Sequence, residues 1–158
     1  MTRPRSFVCE HRFRVAAPID VVFRLLADPR QLDRLTPPWF GFTAREPVPD
    51  ALAVGVRVDS RLIWRRIPLR WQSLITVWEP PHLFTYRQTL GPYRDFEHEH
   101  RFAEDATGTA VLDRIRYRPP GGRLAARFFV GPDLQSLFAF REQAVRAALE
   151  ESAAPGPS

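Results

Sequence analysis

Apolar residues alternate with polar ones over most of this chain and switch to every third or fourth position near its end, so a sheet is expected first and a long helix last. Phe7, Cys9, His11, Phe13 and Val15 alternate with Val8, Glu10, Arg12 and Arg14, the pattern of a half-buried strand. Ala17-Pro18-Ile19-Asp20 opens a short helix, because proline suits a first turn and Asp20 faces the positive end of the dipole. Val22, Phe23, Leu25 and Leu26 form its apolar face, Asp28-Pro29 breaks it, and a second short helical turn is expected at 31–35. A weak strand is expected at 42–46. Stronger ones follow at 56–64, 69–78, 83–89, 95–103 and 109–118, separated by turns at Pro80-Pro81, Gly91-Pro92 and 105–108. Short strands with tight turns indicate an antiparallel meander. After Pro119-Pro120-Gly121-Gly122 the period changes. A helical piece is expected at 123–130, an interruption at Gly131-Pro132-Asp133, and then a long amphipathic helix to about Glu151. Its stripe includes Leu134, Leu137, Phe138, Val145, Ala148 and Leu149.

One segment carries candidate chemistry. In Phe96-Glu97-His98-Glu99-His100-Arg101-Phe102, strand alternation puts Phe96, His98, His100 and Phe102 on one face and Glu97, Glu99 and Arg101 on the other. The aromatic flanks mark the histidine face as interior. The outer acids face Arg114 and Arg116, and then Glu10, Arg12 and Arg14, across neighbouring strands, which describes a solvated face of ion pairs. Two interior histidines could bind a metal, move protons, orient a ligand or simply be satisfied core residues. No nucleophile elbow, phosphate-binding glycine loop or paired-cysteine metal motif is present.

Composition narrows the picture. With 158 residues, 44% hydrophobic and 26% charged, the chain suits one globular domain with a sizeable core. That domain is expected at 7–151, between a loose arm at 1–6 and a Pro-, Ala- and Ser-rich disordered tail at 152–158. No apolar run reaches the roughly 18 residues of a membrane helix, and the first residues lack an apolar run of signal-peptide length. The lone Cys9 cannot form an internal disulfide and suits a reducing cytoplasm. The net charge is +5, and every basic residue is Arg. The arginines are dispersed, with no basic helix or stacking platform, so no nucleic-acid partner is expected. Arg without Lys fits a coding bias better.

The order of strand, two short helices, antiparallel strands and long C-terminal helix resembles the START-like or SRPBCC superfamily. So do Leu35-Thr36-Pro37-Pro38-Trp39, Trp78-Glu79-Pro80-Pro81, residues 91–102, Gly108-Thr109, Asp113-Arg114-Ile115-Arg116-Tyr117 and Phe138-Ala139-Phe140-Arg141. The resemblance spans roughly residues 7–149 and implies an α+β helix-grip fold, a curved antiparallel sheet wrapped around the long helix with a cavity between them. It implies a small, largely apolar ligand, of lipid or polyketide type. It also leaves open a cyclase- or dehydratase-like enzyme, or an interaction module for an epimerase-like dehydrogenase. It implies no metal, and no cofactor is expected.

In that plan the first strand lies beside the last, and the last beside the one before it. His11, Asp113 and His98 or His100 could then share one band of the cavity wall, where a carboxylate beside imidazole suits a general base. His98, His100 and Asp113 are the catalytic candidates. A quiet structural pair of Asp113 with a histidine would look the same. His98 and His100 with His11 could offer three metal ligands only if the register set His11 level with them. Arg141 falls on or beside the inward stripe of the long helix, where it could clamp an anionic group of a ligand, pair with Asp113 or Glu99, or reach the edge. The expected ligand-binding set is His11, Trp39, Phe96, His98, His100, Tyr117, Phe128, Phe138 and Arg141. Within it Tyr117, Phe128 and Phe138 (with Phe129) form the apolar lining, and Trp39 stands where the family places a mobile entrance.

Overall fold

The computed structural model describes residues 5–156. Part of the expected arm (1–4) and of the tail (157–158) lies outside the described residues. The strands are β1 (Phe7–Val15), β2 (Thr43–Ala44), β3 (Arg57–Trp64), β4 (Ile67–Glu79), β5 (Leu83–Leu90), β6 (Asp95–Asp105) and β7 (Gly108–Arg118). They form one antiparallel sheet in the order β1-β7-β6-β5-β4-β3-β2. Helix α1 (Ile19–Ala27) and a 3-10 turn (Pro29–Gln31) follow β1. This is the helix-grip architecture. The β4–β5 register shifts twice, with Thr89 of β5 extra at Gln72/Ser73 and Thr76 of β4 extra at Ile75/Val77; such bulge-like shifts bend and twist a strand and so help the sheet curl.

The weak strand expected at 42–46 shortens to the two residues of β2, and the second helical turn forms at Pro29–Gln31, earlier than expected. The larger difference is at the C-terminal helix. Gly131-Pro132 does not interrupt it. Helical structure runs through 122–153 as α2 (Gly122–Ala125), a π-helical turn (Ala126–Val130) and α3 (Gly131–Ala153). Pro132 falls in the first turn of α3, directly after the wider π turn, where a missing N–H is tolerated. Gly131 is needed there, because a Cβ would lie 2.7 Å from the Ala126 carbonyl oxygen. Helix α3 also extends to Ala153, into the segment expected to be disordered.

The core has two parts. One gathers Phe13, Val15, Phe23, Phe84, Phe102, Val111 and Val145. The other gathers Leu62, Trp71, Phe96, Ile115, Tyr117, Leu134, Leu137 and Phe138. Between them runs a polar seam. On β6 His98 and His100 separate Phe96 from Phe102; on β7 Asp113 separates Val111 from Ile115; on α3 Arg141 separates Phe138 from Val145. His98, His100, Asp113 and Arg141 are all buried. No helix among the described residues is long and apolar enough to cross a membrane.

Candidate functional site

Strand pairing builds the seam. Asp113 on β7 stands opposite His100 on one side and His11 of β1 on the other, so these three residues are level across adjacent strands. His98 lies two residues along β6 on the same face and stands opposite Tyr86 of β5. Asp113 Oδ1 lies 2.5 Å from His100 Nδ1 and 3.4 Å from His98 Nε2. Both approaches lie off hydrogen-bond alignment, leaving the two nitrogens and both carboxylate oxygens without an aligned partner. They are close electrostatic contacts in a water-poor wall, where the low dielectric strengthens them. The two imidazoles lie tilted against each other with centroids 3.9 Å apart, and Phe84 stacks on His100 at 4.3 Å.

Tyr86 Oη is 2.8 Å from His98 Nδ1. With Nε2 turned to the carboxylate and carrying the ring proton, Nδ1 accepts from the Tyr86 hydroxyl. Burial pushes the Tyr86 phenol up to about 12, so it stays protonated and can donate. Burial and the neighbouring His100 bring His98 down to about 3, against the pull of Asp113, so it is neutral at ordinary pH. Burial likewise lowers His100. Burial alone would raise Asp113, but His100 and His98 overcome it and hold the carboxyl well below the usual range. An ionised carboxylate therefore faces two imidazoles, and a phenol continues the chain toward the interior.

That interior holds a cavity of about 160 Å³ between the sheet and the helical segment. Leu62, Trp64, Trp71, Phe96 and Ile115 line it from the sheet, Leu134 and Leu137 from α3, and Phe40 and Phe42 from the connection before β2. Its polar contributors include Thr36, Tyr86, Tyr93, His98 and Arg141. Arg141 Nε donates to the Leu35 carbonyl at 3.4 Å, and no carboxylate among the described residues lies within 4.0 Å of its guanidinium.

Of the residues expected to bind a ligand, Phe96, His98 and Arg141 line this cavity. His100 and Asp113 sit in the wall behind His98 and do not line it. His11 turns away: its Nε2 is 2.7 Å from Glu142 of α3, and its ring stacks on Phe138. Phe138 is 1% exposed and packs between His11 and His98 as core. Tyr117 packs among Phe7 and Tyr93 in the wall. Trp39 is exposed, edge-on to Phe140, and Phe128 is exposed beside Arg127. Of the two neighbours expected in the lining, Phe129 lines the cavity and Phe128 does not, because adjacent helical residues point about 100° apart and the π turn decides which one faces inward. Tyr86, Tyr93, Trp64, Trp71 and Thr36 were missed as lining. The alternation Phe84, Tyr86 beside the histidine strand was a readable signal for Tyr86.

His98, His100 and Asp113 each offer a ligand atom, all within 4.8 Å of one another, and so could hold a metal ion. The 2.5 Å approach of His100 to Asp113 is closer than the roughly 3 Å that two ligands of one ion keep. The positive Arg141 also acts on both imidazoles. The cluster fits a paired carboxylate better than a metal centre.

The sequence matches the family model described as polyketide cyclase / dehydrase and lipid transport over residues 7–150. The chain belongs to that family. No curated protein sequence matches this member of it. Its fold is similar to that of the Zhui aromatase/cyclase from Streptomyces sp. R1128, with TM-score 0.73, 19% identity, and 98% of this chain and 99% of that one covered. It is also similar to protein Ms6760 from Mycobacterium smegmatis (TM-score 0.69, 19% identity, 92% of each chain). A third likeness is to the major latex-like protein 151 from Panax ginseng (TM-score 0.68, 12% identity, 90% of this chain and 97% of that one). At these identities the likeness is one of fold.

Proposed function

We propose that this family member binds a small, largely apolar molecule in the cavity between the sheet and α3. The observation that carries the reading is the cavity itself. Protein interiors pack closely, and a space of about 160 Å³ lined mostly by Leu, Ile, Phe and Trp is of the size that takes up a benzene-like guest. The family description, with its lipid transport, supports the same reading, and the free thiol Cys9 accords with a cytoplasmic setting. Fluorobenzene followed by fluorine NMR tests it. Saturable binding is expected, and Leu137→Trp, which fills the space, should abolish it while the circular dichroism spectrum is retained. A wild-type protein that shows no saturable binding would overturn the reading.

A second reading, acid–base catalysis of cyclase or dehydratase type, is favoured by one specific feature. A chain of contacts, hydrogen-bonded from Tyr86 to His98 and electrostatic from His98 to Asp113, leads from a hydroxyl in the cavity to a buried carboxylate. Such a chain can take or deliver a proton at the phenol oxygen. If it does chemistry, Tyr86→Phe should lower kcat with little change in the affinity for a bound ligand. Equal turnover in the variant would remove this reading.

A further inference from the structure

We propose that Arg141 and Thr36 form an anion-recognising end of this cavity, and that the ligand is a carboxylic acid with an apolar body about the size of one aromatic ring. The inference rests on the ligand-binding reading above and adds the class of ligand.

Arg141 is 7% exposed and lies on the inward stripe of α3. A guanidinium has five N–H donors and is always charged, so its burial calls for an anionic partner. The structure shows one long hydrogen bond from Nε to the Leu35 carbonyl. The carboxylates that could serve are engaged elsewhere. Glu142, next in the chain, holds His11 at 2.7 Å and Arg146 at 2.8 Å. Asp113 is approached by His98 and His100. Thr36 follows Leu35 directly and also lines the cavity; its hydroxyl is buried and has no partner. An unpartnered threonine hydroxyl and a guanidinium with one long hydrogen bond and no carboxylate among the described residues within 4.0 Å thus meet one end of a space that is otherwise mostly apolar. Buried groups of this kind are normally paired, which makes a missing ligand group the simplest partner. The planar fork of a guanidinium matches a carboxylate with two parallel hydrogen bonds, and a threonine hydroxyl can donate a third. The cavity volume suits a remainder of roughly benzene size.

The test compares two ligands with one carbon skeleton, 3-phenylpropanoate and 3-phenylpropan-1-ol, titrated at pH 7.5 and followed by the fluorescence of Trp64 and Trp71, which line the cavity. Wild-type protein should bind the acid at least tenfold more tightly than the alcohol. Arg141→Gln should abolish that preference, weakening the acid far more than the alcohol. Arg141→Lys should retain part of it, and Thr36→Val should reduce it by less than Arg141→Gln does. Equal or tighter binding of the alcohol to wild type overturns the anion end and leaves the cavity reading standing. So does binding of fluorobenzene with neither phenyl compound bound. Failure of fluorobenzene and both phenyl compounds overturns both. If Arg141→Gln does not fold, the wild-type ratio of acid to alcohol decides alone.

Discussion

On the outer face of β6 and β7, Glu97 meets Arg116 at 3.1 Å, and about half of the Arg116 side chain and rather less of Glu97 remain in water. On the inner face of the same two strands, Asp113 meets His100 at 2.5 Å and neither sees solvent. Both pairs stand directly opposite each other in the same ladder. The strand geometry is shared, so the contrast isolates what burial does. Outside, water screens the charges and the pair contributes little. Inside, the same kind of contact sets which groups are charged: an ionised Asp113, a neutral His98 brought to about 3, and a Tyr86 phenol pushed up to about 12. The seam is costly to assemble and therefore costly to break in part.

The comparison breaks most visibly at Asp113. Asp113→Ala takes the carboxylate away from two imidazoles and removes the opposite charge that acts across the seam with Arg141. A loss of about 3–5 kcal/mol is expected from urea denaturation. A loss below 1 kcal/mol would mean the inner pair behaves like the outer one.

Acid should come next. The folded-state values of His98 and His100 lie below that of a free imidazole, so as pH falls the unfolded chain takes up protons first. Stability is full above about pH 6.5 and falls below it, by about 1.4 kcal/mol per pH unit for each imidazole kept neutral. The lowered Asp113 pulls the same way only below the usual carboxylate range. Denaturation curves between pH 7.5 and 5 should show this slope, and His98→Gln should remove one imidazole's share. An identical slope in the variant would take His98 out of the account.

The smallest effect belongs outside. Glu97→Ala should cost about 0.2–1 kcal/mol and should lose even that in high salt.

Much of this contrast was legible in the chain. The alternation at 96–102, with Phe at both ends, told which face of β6 is interior, and the strand order implied by the family resemblance brought Asp113 to the histidines. Period-2 patterning carries such information because a strand has only two faces. What stayed hidden depends on side-chain rotation and on irregular backbone. His11 is level with Asp113, yet its ring swings to Glu142 on a helix that no strand pattern places. Phe128 and Phe129 could not be told apart because Gly131-Pro132 suggests a break, while the chain takes a π turn that rotates each residue differently. Trp39 lies in a connection without periodicity, and it faces solvent.

That π turn at Ala126–Val130 has a consequence for how the family member can vary in length. A π turn amounts to one residue more than an α-helix needs over the same path. A deletion there can be absorbed by reverting to α geometry, with α3 left seated on its track. A deletion after Leu134 has no such slack: every later residue would turn by about 100°, and Arg141 would leave the cavity along with the apolar stripe around it. The helix thus carries a spare residue just ahead of the stretch that cannot lose one.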